Sequence, residues 1–432
     1  MKSQRISWPL LLAACALGAI LRILWMTTVH AVPVSDFAYY LDKAMSLASG
    51  HGYANGGVPT AFWPPGYPIF LAGVFKVFGS SLGIAKATNI VLWTVTIVLV
   101  YLLGLRLDGR ATAAVAAFIV TLFPEFILFA NLASSENLFI PLVLCAALIL
   151  SPKQKMSDPP DWKRSLLAGL LLGFAVVVRT TAVLLPPLMA LVLILWYRSR
   201  PAFISACLLI AAFAISPAAW VVRNAVVMGS PVLSTNGGIS LWTGNNPLAT
   251  GGYRLKGYYP PRDISTPAGE LSANSAYTKE AITFVVTQPG QFIALIPEKA
   301  KQLFAKPATL GWNTAANVRG ASSSYSERAL TPAEKRAVGL AVALRANRAG
   351  WMKLLWLVGL AGLVMALLLR RSVGVWLGAI VGYWLLFHVT IGNGQPRYLI
   401  SVAPAIAVCA AFLAVVAIRW TAERFGLDRK RR

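Results

Sequence analysis

Apolar residues run along this chain in long, nearly unbroken stretches, at about 8–29, 87–105, 111–130, 133–150, 165–178, 181–197, 202–222, 351–369, 373–390 and 398–418. A helix needs roughly 20 apolar residues to cross the hydrocarbon layer of a membrane. Most of these stretches approach that length; 165–178 is short, and the alternation of loops requires it. The pattern predicts an all-α polytopic membrane protein with about ten transmembrane helices. Two stretches interrupt it: residues 30–86, and residues 223–350, far longer than the usual connection between packed helices. The chain therefore divides into a first transmembrane module over 1–222, a large loop over 223–350 and a closing module over 351–432.

Composition agrees. Of 432 residues, 57% are hydrophobic and 12% charged, too little charge to cover a soluble protein of this length. The net charge of +24 would suit a nucleic-acid binder, but much of it lies in short turns on one side of the apolar stretches. With the N-terminus (Lys2, Arg5) inside, the inner turns hold Arg106 and Arg110, then Lys153, Lys155, Lys163 and Arg164, then Arg198 and Arg200, then Arg370 and Arg371. The tail adds Arg419, Arg424, Arg429, Lys430, Arg431 and Arg432. Every short inner turn is basic, as the positive-inside rule requires. Both termini are expected in the cytoplasm, the loops 30–86 and 223–350 on the outer face of a plasma (bacterial inner) membrane, and nucleic acid is not needed as a partner. Val29-His30-Ala31 loosely resembles a leader cleavage site, but the long apolar run before it, interrupted by Arg22, predicts a retained first helix. Cys15, Cys145, Cys207 and Cys409 all lie within apolar stretches and read as small core residues.

In the first outer loop, Phe37, Leu41, Ala44 and Ala48 repeat at helical spacing, with Ser35 as N-cap and Gly50 as stop. This predicts an amphipathic juxtamembrane helix with Asp36 in its first turn. There Asp36 either complements the helix dipole or accepts a proton from a bound hydroxyl. Asp42 points to a different face. The run Phe62-Trp63-Pro64-Pro65-Gly66-Tyr67-Pro68 ends one element and starts another, too short to span. Trp63 and Tyr67 suit the membrane interface and also contact with a sugar or prenyl chain.

A second acidic group follows: Pro124-Glu125, then Ala133-Ser134-Ser135-Glu136-Asn137. Carboxylates at a membrane edge are costly without a partner or purpose. Glu125, within its span, is expected to pair with a cation, and Glu136 is either solvated in its turn or functional. Arg22, Lys86, Arg179, Arg223 and Arg397 stand at outer helix ends, the side that positive-inside topology does not explain. They serve either as headgroup contacts or as phosphate ligands through ammonium or the planar guanidinium fork. In the large loop, Trp242 to Pro247 and Gly251-Gly252-Tyr253 are turn-rich segments suited to an acceptor pocket. Residues 270–305 carry a helical pattern broken around Pro289-Gly290. His30, His51 and His388 are scattered and give no metal motif.

Ser35-Asp36 through Tyr40, the Pro64-Pro65-Gly66-Tyr67-Pro68 turn, the stretch from Pro124 to Glu136, and Arg179 together resemble the GT-C superfamily, in particular glycosyltransferase family 39 and its lipopolysaccharide-modifying relatives. These include protein mannosyltransferases, aminoarabinose transferases and rhizobial-type galacturonosyl transferases. The likeness covers the first half well and the rest mainly in topology. It implies inverting transfer of a sugar from a polyprenyl-phosphate donor to a lipid, glycan or protein acceptor at the outer membrane face. On that likeness Asp36 is the general base and Glu136 the second acidic residue, where relatives often have Asp. Tyr40, Trp63, Tyr67, Lys86, Arg179, Arg397 and Tyr398 then contact the substrate. Trp63 stands where the aminoarabinose transferases carry a Lys, which leaves the sugar open. No cofactor is expected, with a divalent cation unproven. A flippase of lipid-linked sugars, or an oligosaccharide ligase or polymerase, is the alternative.

Overall fold

A computed structural model describes residues 5–151, 159–253, 262–305, 309–314, 329–345 and 348–425. Lys2, Lys153, Lys155 and the basic tail residues Arg429, Lys430, Arg431 and Arg432 lie outside them. The first half begins with α1 (Trp8–Thr28), the short α2 (Asp36–Ala48), a two-stranded hairpin (β1, Ala54–Asn55; β2, Val58–Pro59) and α3 (Gly66–Phe78). It continues through α4 (Leu82–Leu107), α5 (Arg110–Leu122), α6 (Pro124–Ala130), α7 (Glu136–Leu150), α8 (Trp162–Val178), α9 (Leu185–Tyr197) and α10 (Arg200–Met228). The large loop holds α11 (Asn236–Gly244), α12 (Pro267–Thr287), α13 (Pro289–Leu303), α14 (Thr309–Thr314) and α15 (Pro332–Arg345). The chain closes with α16 (Arg348–Leu368), α17 (Ser372–Thr390), the short α18 (Pro396–Ile400) and α19 (Ala403–Arg424).

Helices stand at all ten places where the apolar pattern predicted them, but they are not ten equal spans. Among the described residues seven are long and apolar enough to cross a membrane, or eight if the bent pair α5–α6 counts as one. The other two are α7, with 15 residues, and α8, with 17. The stretch 111–130 is bent by 57° between α5 and α6. Pro124 explains the bend, because it has no amide hydrogen and drives Phe123 into extended backbone (φ −69°, ψ 120°). The stretch at 202–222 extends as α10 to Met228, so the large loop begins later than its apolar edge suggested.

One hydrophobic core joins the two halves. It includes Trp93, Ile97 and Val100 of α4, Phe139 and Val143 of α7, Trp376 and Trp384 of α17, and Ile406 and Phe412 of α19. In the large loop the break forecast near Pro289 is present, with α12 ending at Thr287 and α13 starting at Pro289.

The large loop is clasped to the first one. Glu270 of α12 is buried and accepts hydrogen bonds from the Thr60 hydroxyl (2.5 Å), the Ala61 amide (3.1 Å) and the Thr235 hydroxyl (2.9 Å). Arg223 of α10 donates to the carbonyls of Tyr53 and Thr60. At the other edge of the loop, Lys299 of α13 donates to Asn245 Oδ1 at 2.8 Å and the Thr390 carbonyl at 2.6 Å. Here α13 lies so close to the turn after α17 that a Cβ on Gly394 would come 2.0 Å from the Lys299 carbonyl oxygen. Only glycine fits that approach.

Candidate active site

Four segments far apart in sequence meet at one end of the bundle: the start of α2, the start of α7, the residue after α8 and α18. Each brings one charge. Asp36 Oδ2 lies 2.7 Å from Arg397 Nη1. Arg397 also reaches Glu136, with Nε 2.6 Å from Oε1 and Nη2 2.9 Å from Oε2. Arg179 Nη1 lies 2.7 Å from the same Oε1. The order is Asp36–Arg397–Glu136–Arg179, two carboxylates alternating with two guanidiniums. Unpaired, such buried charges would be prohibitively costly; alternated, they satisfy one another.

Local sequence explains the placement. Ser35 holds φ 52° and ψ −129°, a backbone region that residues with side chains rarely adopt, and its hydroxyl does not cap the helix. This turn directs Asp36 inward, where it is buried although it begins a juxtamembrane helix. Glu136 sits in the first turn of α7, where the helix dipole favours a carboxylate. The Ser134 hydroxyl donates to Glu136, and Arg179 Nη1 donates to Ser135 Oγ at 3.2 Å. Gly66, in the paired-proline turn, sets the start of α3 against the end of α8: a Cβ there would lie 2.7 Å from the Val178 amide nitrogen. That contact fixes the backbone next to Arg179.

Aromatic rings wall the charges. Tyr40, one turn after Asp36, meets Tyr67 and Trp63 edge-on, with centroids 5.8 and 6.2 Å away. The Tyr67 hydroxyl donates to Asn89 Oδ1 at 2.9 Å. Arg397 lies over Phe37 (4.7 Å) and Trp312 (5.7 Å), and Arg179 over Trp384 (5.6 Å) and Tyr398 (6.0 Å). Burial pushes the Asp36 carboxyl above the usual carboxylate range, Arg397 opposes it and Glu136 adds to it. A carboxylate that holds a proton more tightly than a solvated one is a better base.

Of the nine residues singled out from sequence, the fold brings Asp36, Glu136, Arg179 and Arg397 into direct contact and sets Tyr40 and Tyr398 against them. Trp63 and Tyr67 lie one ring further out. The Lys86 ammonium donates to the Ala31 carbonyl at 3.0 Å. Arg22 is not at a helix end at all: it is buried within the bundle, donates to the carbonyls of Gly18 and Val120, and covers Trp93. Glu125 is fully buried in the first turn of α6. Trp242 to Asn246 are used as struts, with Thr243 bonded to Asn393 and Asn245 to the Ile391 carbonyl. Ser134, Ser135, Phe37 and Trp384 complete the site and had no signal of their own beyond adjacency to Glu136 or membership of an apolar run.

The fold is that of the GT-C membrane glycosyltransferases. ArnT from Cupriavidus metallidurans, solved with undecaprenyl phosphate, superposes with a TM-score of 0.52 at 13% identity, covering 98% of this chain and 63% of ArnT. The oligosaccharyltransferase AglB from Archaeoglobus fulgidus, solved with an inhibitory peptide and a dolichol-phosphate, gives 0.51 at 14% identity, covering 98% of this chain and 51% of AglB. The chain thus spans about half to two thirds of the length of these structures. Residues 63–220 match the family described as dolichyl-phosphate-mannose-protein mannosyltransferase. No curated protein sequence matches it.

Proposed function

We propose that the protein transfers a sugar from a polyprenyl-phosphate donor to a hydroxyl on a lipid, glycan or protein acceptor, at the outer face of a plasma (bacterial inner) membrane. The observation that supports this best is the buried Asp36 carboxylate, turned inward at the start of α2 and held through Oδ2 by Arg397. In this reading Oδ1 of Asp36 takes the acceptor proton as the acceptor oxygen attacks the anomeric carbon. The bond from that carbon to the phosphate oxygen breaks on the opposite face, which inverts the configuration. The phosphate leaves with the electron pair. Arg179, fixed in advance by Glu136, is placed to stabilise the charge that develops on it. Glu136 acts through the arginines as a positioning residue. Tyr40, Trp63 and Tyr67 offer apolar faces to the sugar or the prenyl chain. Arg397 stands between the two carboxylates, where they would otherwise hold a divalent ion, so turnover is expected to survive a chelator.

The test is turnover of a panel of polyprenyl-phosphate sugars by the purified protein and by Asp36→Asn, with and without chelator, read as release of the carrier. General-base removal is expected to cost about 10²–10⁴-fold in rate, in a variant that stays folded and still binds donor. Equal turnover by the two proteins would remove Asp36 as the base. Movement of lipid-linked sugar across liposomes without turnover would replace the enzyme by a flippase.

A further inference from the structure

The Arg397 guanidinium is held along its edges. Nε and Nη2 meet Glu136, and Nη1 meets Asp36. Bonds in the plane of a flat cation do little to stop it rocking out of that plane, whereas an aromatic ring laid against it does. Two rings provide that contact, Phe37 at 4.7 Å and Trp312 at 5.7 Å. They meet each other edge-on, with centroids 5.6 Å apart and planes at 76°, so the guanidinium sits in the corner between them. Phe37 follows Asp36 on α2 and arrives with it. Trp312 arrives separately, on α14 of the large loop.

The next residue explains how so short a helix keeps a definite place. Asn313 is fully buried, and its amide uses all of its hydrogen-bonding capacity. Oδ1 accepts from Trp25 Nε1 of α1 and from Asn131 Nδ2, just after α6, both at 2.9 Å. Nδ2 donates to the Leu128 carbonyl of α6 at 3.2 Å and to the Thr309 carbonyl of its own helix at 2.9 Å. Asn131 also donates to the Val29 carbonyl at 2.9 Å, so the same node holds the chain that leads from α1 to Asp36. Trp312 is only half-buried, and its truncation leaves no closed cavity.

We propose that Trp312, delivered by the large loop and anchored by Asn313, is a positioning residue: with Phe37 it fixes the Arg397 guanidinium between Asp36 and Glu136. The effect on rate rests on Asp36 as the base, proposed above; the contact with Arg397 does not.

The first test is the pH profile of carrier release by the parent, by Trp312→Phe, which keeps a smaller aromatic face, and by Trp312→Leu, which keeps apolar bulk without one. Burial raises the Asp36 carboxyl, Arg397 is the strongest group against that rise, ahead of Arg179, and Glu136 adds to it. Tyr40 is the remaining titratable neighbour. An Arg397 free to rock lets the carboxyl rise further, so the acidic limb of the profile moves to higher pH. Trp312→Leu is expected to show that shift with about a 2–30-fold loss of rate, the worth of a cation–π contact, and Trp312→Phe to recover part of both. Asn313→Ala should act in the same direction, and adding it to Trp312→Leu should cost no further rate per folded molecule, since the two act through one contact. If Trp312→Leu does not fold, Trp312→Met, which adapts to irregular gaps, makes the same comparison. A rate loss with the limb unmoved, or equal behaviour of Leu and Phe, would make Trp312 a packing residue and overturn the proposal.

The second test needs no turnover. Phenylglyoxal labels accessible guanidiniums, and peptide masses report Arg397 and Arg179 separately. Labelling of Arg397 is expected to rise severalfold in Trp312→Leu and less in Trp312→Phe, with Arg179 unchanged. Labelling of Arg397 at the parent rate in Trp312→Leu would sink the positioning role. A parent that turns over no polyprenyl-phosphate sugar would sink the proposed function instead, and the labelling would then decide the role of Trp312 alone.

Discussion

The two ends of α7 show how one residue type does two jobs. At the C-terminal end, Arg106 donates to the carbonyls of Leu148 and Ser151, and Arg164 to those of Ile149 and Ser151. At the N-terminal end, Arg397 and Arg179 meet Glu136. Both arrangements obey the helix dipole, which favours cations near the last turn and an anion in the first. Their settings differ. Arg106 and Arg164 are part-buried and answer neutral carbonyls, whereas Glu136 is fully buried and holds two guanidiniums at once. Arginine at the first end completes a helix; at the second it is part of a charge network whose members depend on one another.

The strongest way to break that contrast is Glu136→Gln. It leaves Arg179 and Arg397 with one carboxylate, Asp36, between them. Removing one partner of a buried ion pair costs about 3–5 kcal/mol because the remaining charge is stranded. The variant is expected to show a large fall in melting temperature in detergent and a loss of turnover. A melting temperature within a degree or two of the parent would mean that water, not Glu136, compensates the arginines.

A smaller effect belongs to the strut that carries the site's last segment. Lys299 is fully buried against neutral oxygens, and burial lowers its ammonium to about 8. Unfolded, the amine titrates near 10.5. Between these values the unfolded chain binds more protons than the native one, so this group's contribution to stability rises as pH climbs from about 8 towards 10.5. The melting temperature of Lys299→Met should lack the part of the alkaline rise that the parent shows. Identical pH profiles for the two proteins would mean that the strut does not titrate in that window.

How much of this was legible in the sequence follows from the same physics. Apolar run length and basic turns are local, and they gave the helices and the arginines that close the C-terminal end of α7, 13 to 45 residues from their acceptors. Asp36, Glu136, Arg179 and Arg397 stood out because charge at a membrane edge needs a reason. Their pairing spans 261 residues between Glu136 and Arg397, a distance over which periodicity carries no information. Lys86 and Arg22 looked alike in sequence, and only packing shows that each ends on backbone carbonyls. The bend at Phe123 was written in Pro124 but hidden by an apolar run that continues through it.

The smallest expected effect is the most informative about the contrast, because it tests whether the two ends differ in kind. Arg106→Met removes a cation from the C-terminal end of α7 and leaves the Leu148 and Ser151 carbonyls behind. A carbonyl at the end of a helix near the polar surface can turn to water or a lipid headgroup, and Arg164 still serves Ser151. The loss should be about 1 kcal/mol or less, in the range of a surface dipole interaction, and turnover should be unchanged because the site lies at the opposite end of the helix. A melting temperature in detergent and a carrier-release rate measured on the same preparation decide it. If Arg106→Met fell as far as Glu136→Gln, the inner arginines would belong to a network as tightly coupled as the one around Asp36. Then the distinction between completing a helix and building a site would fail.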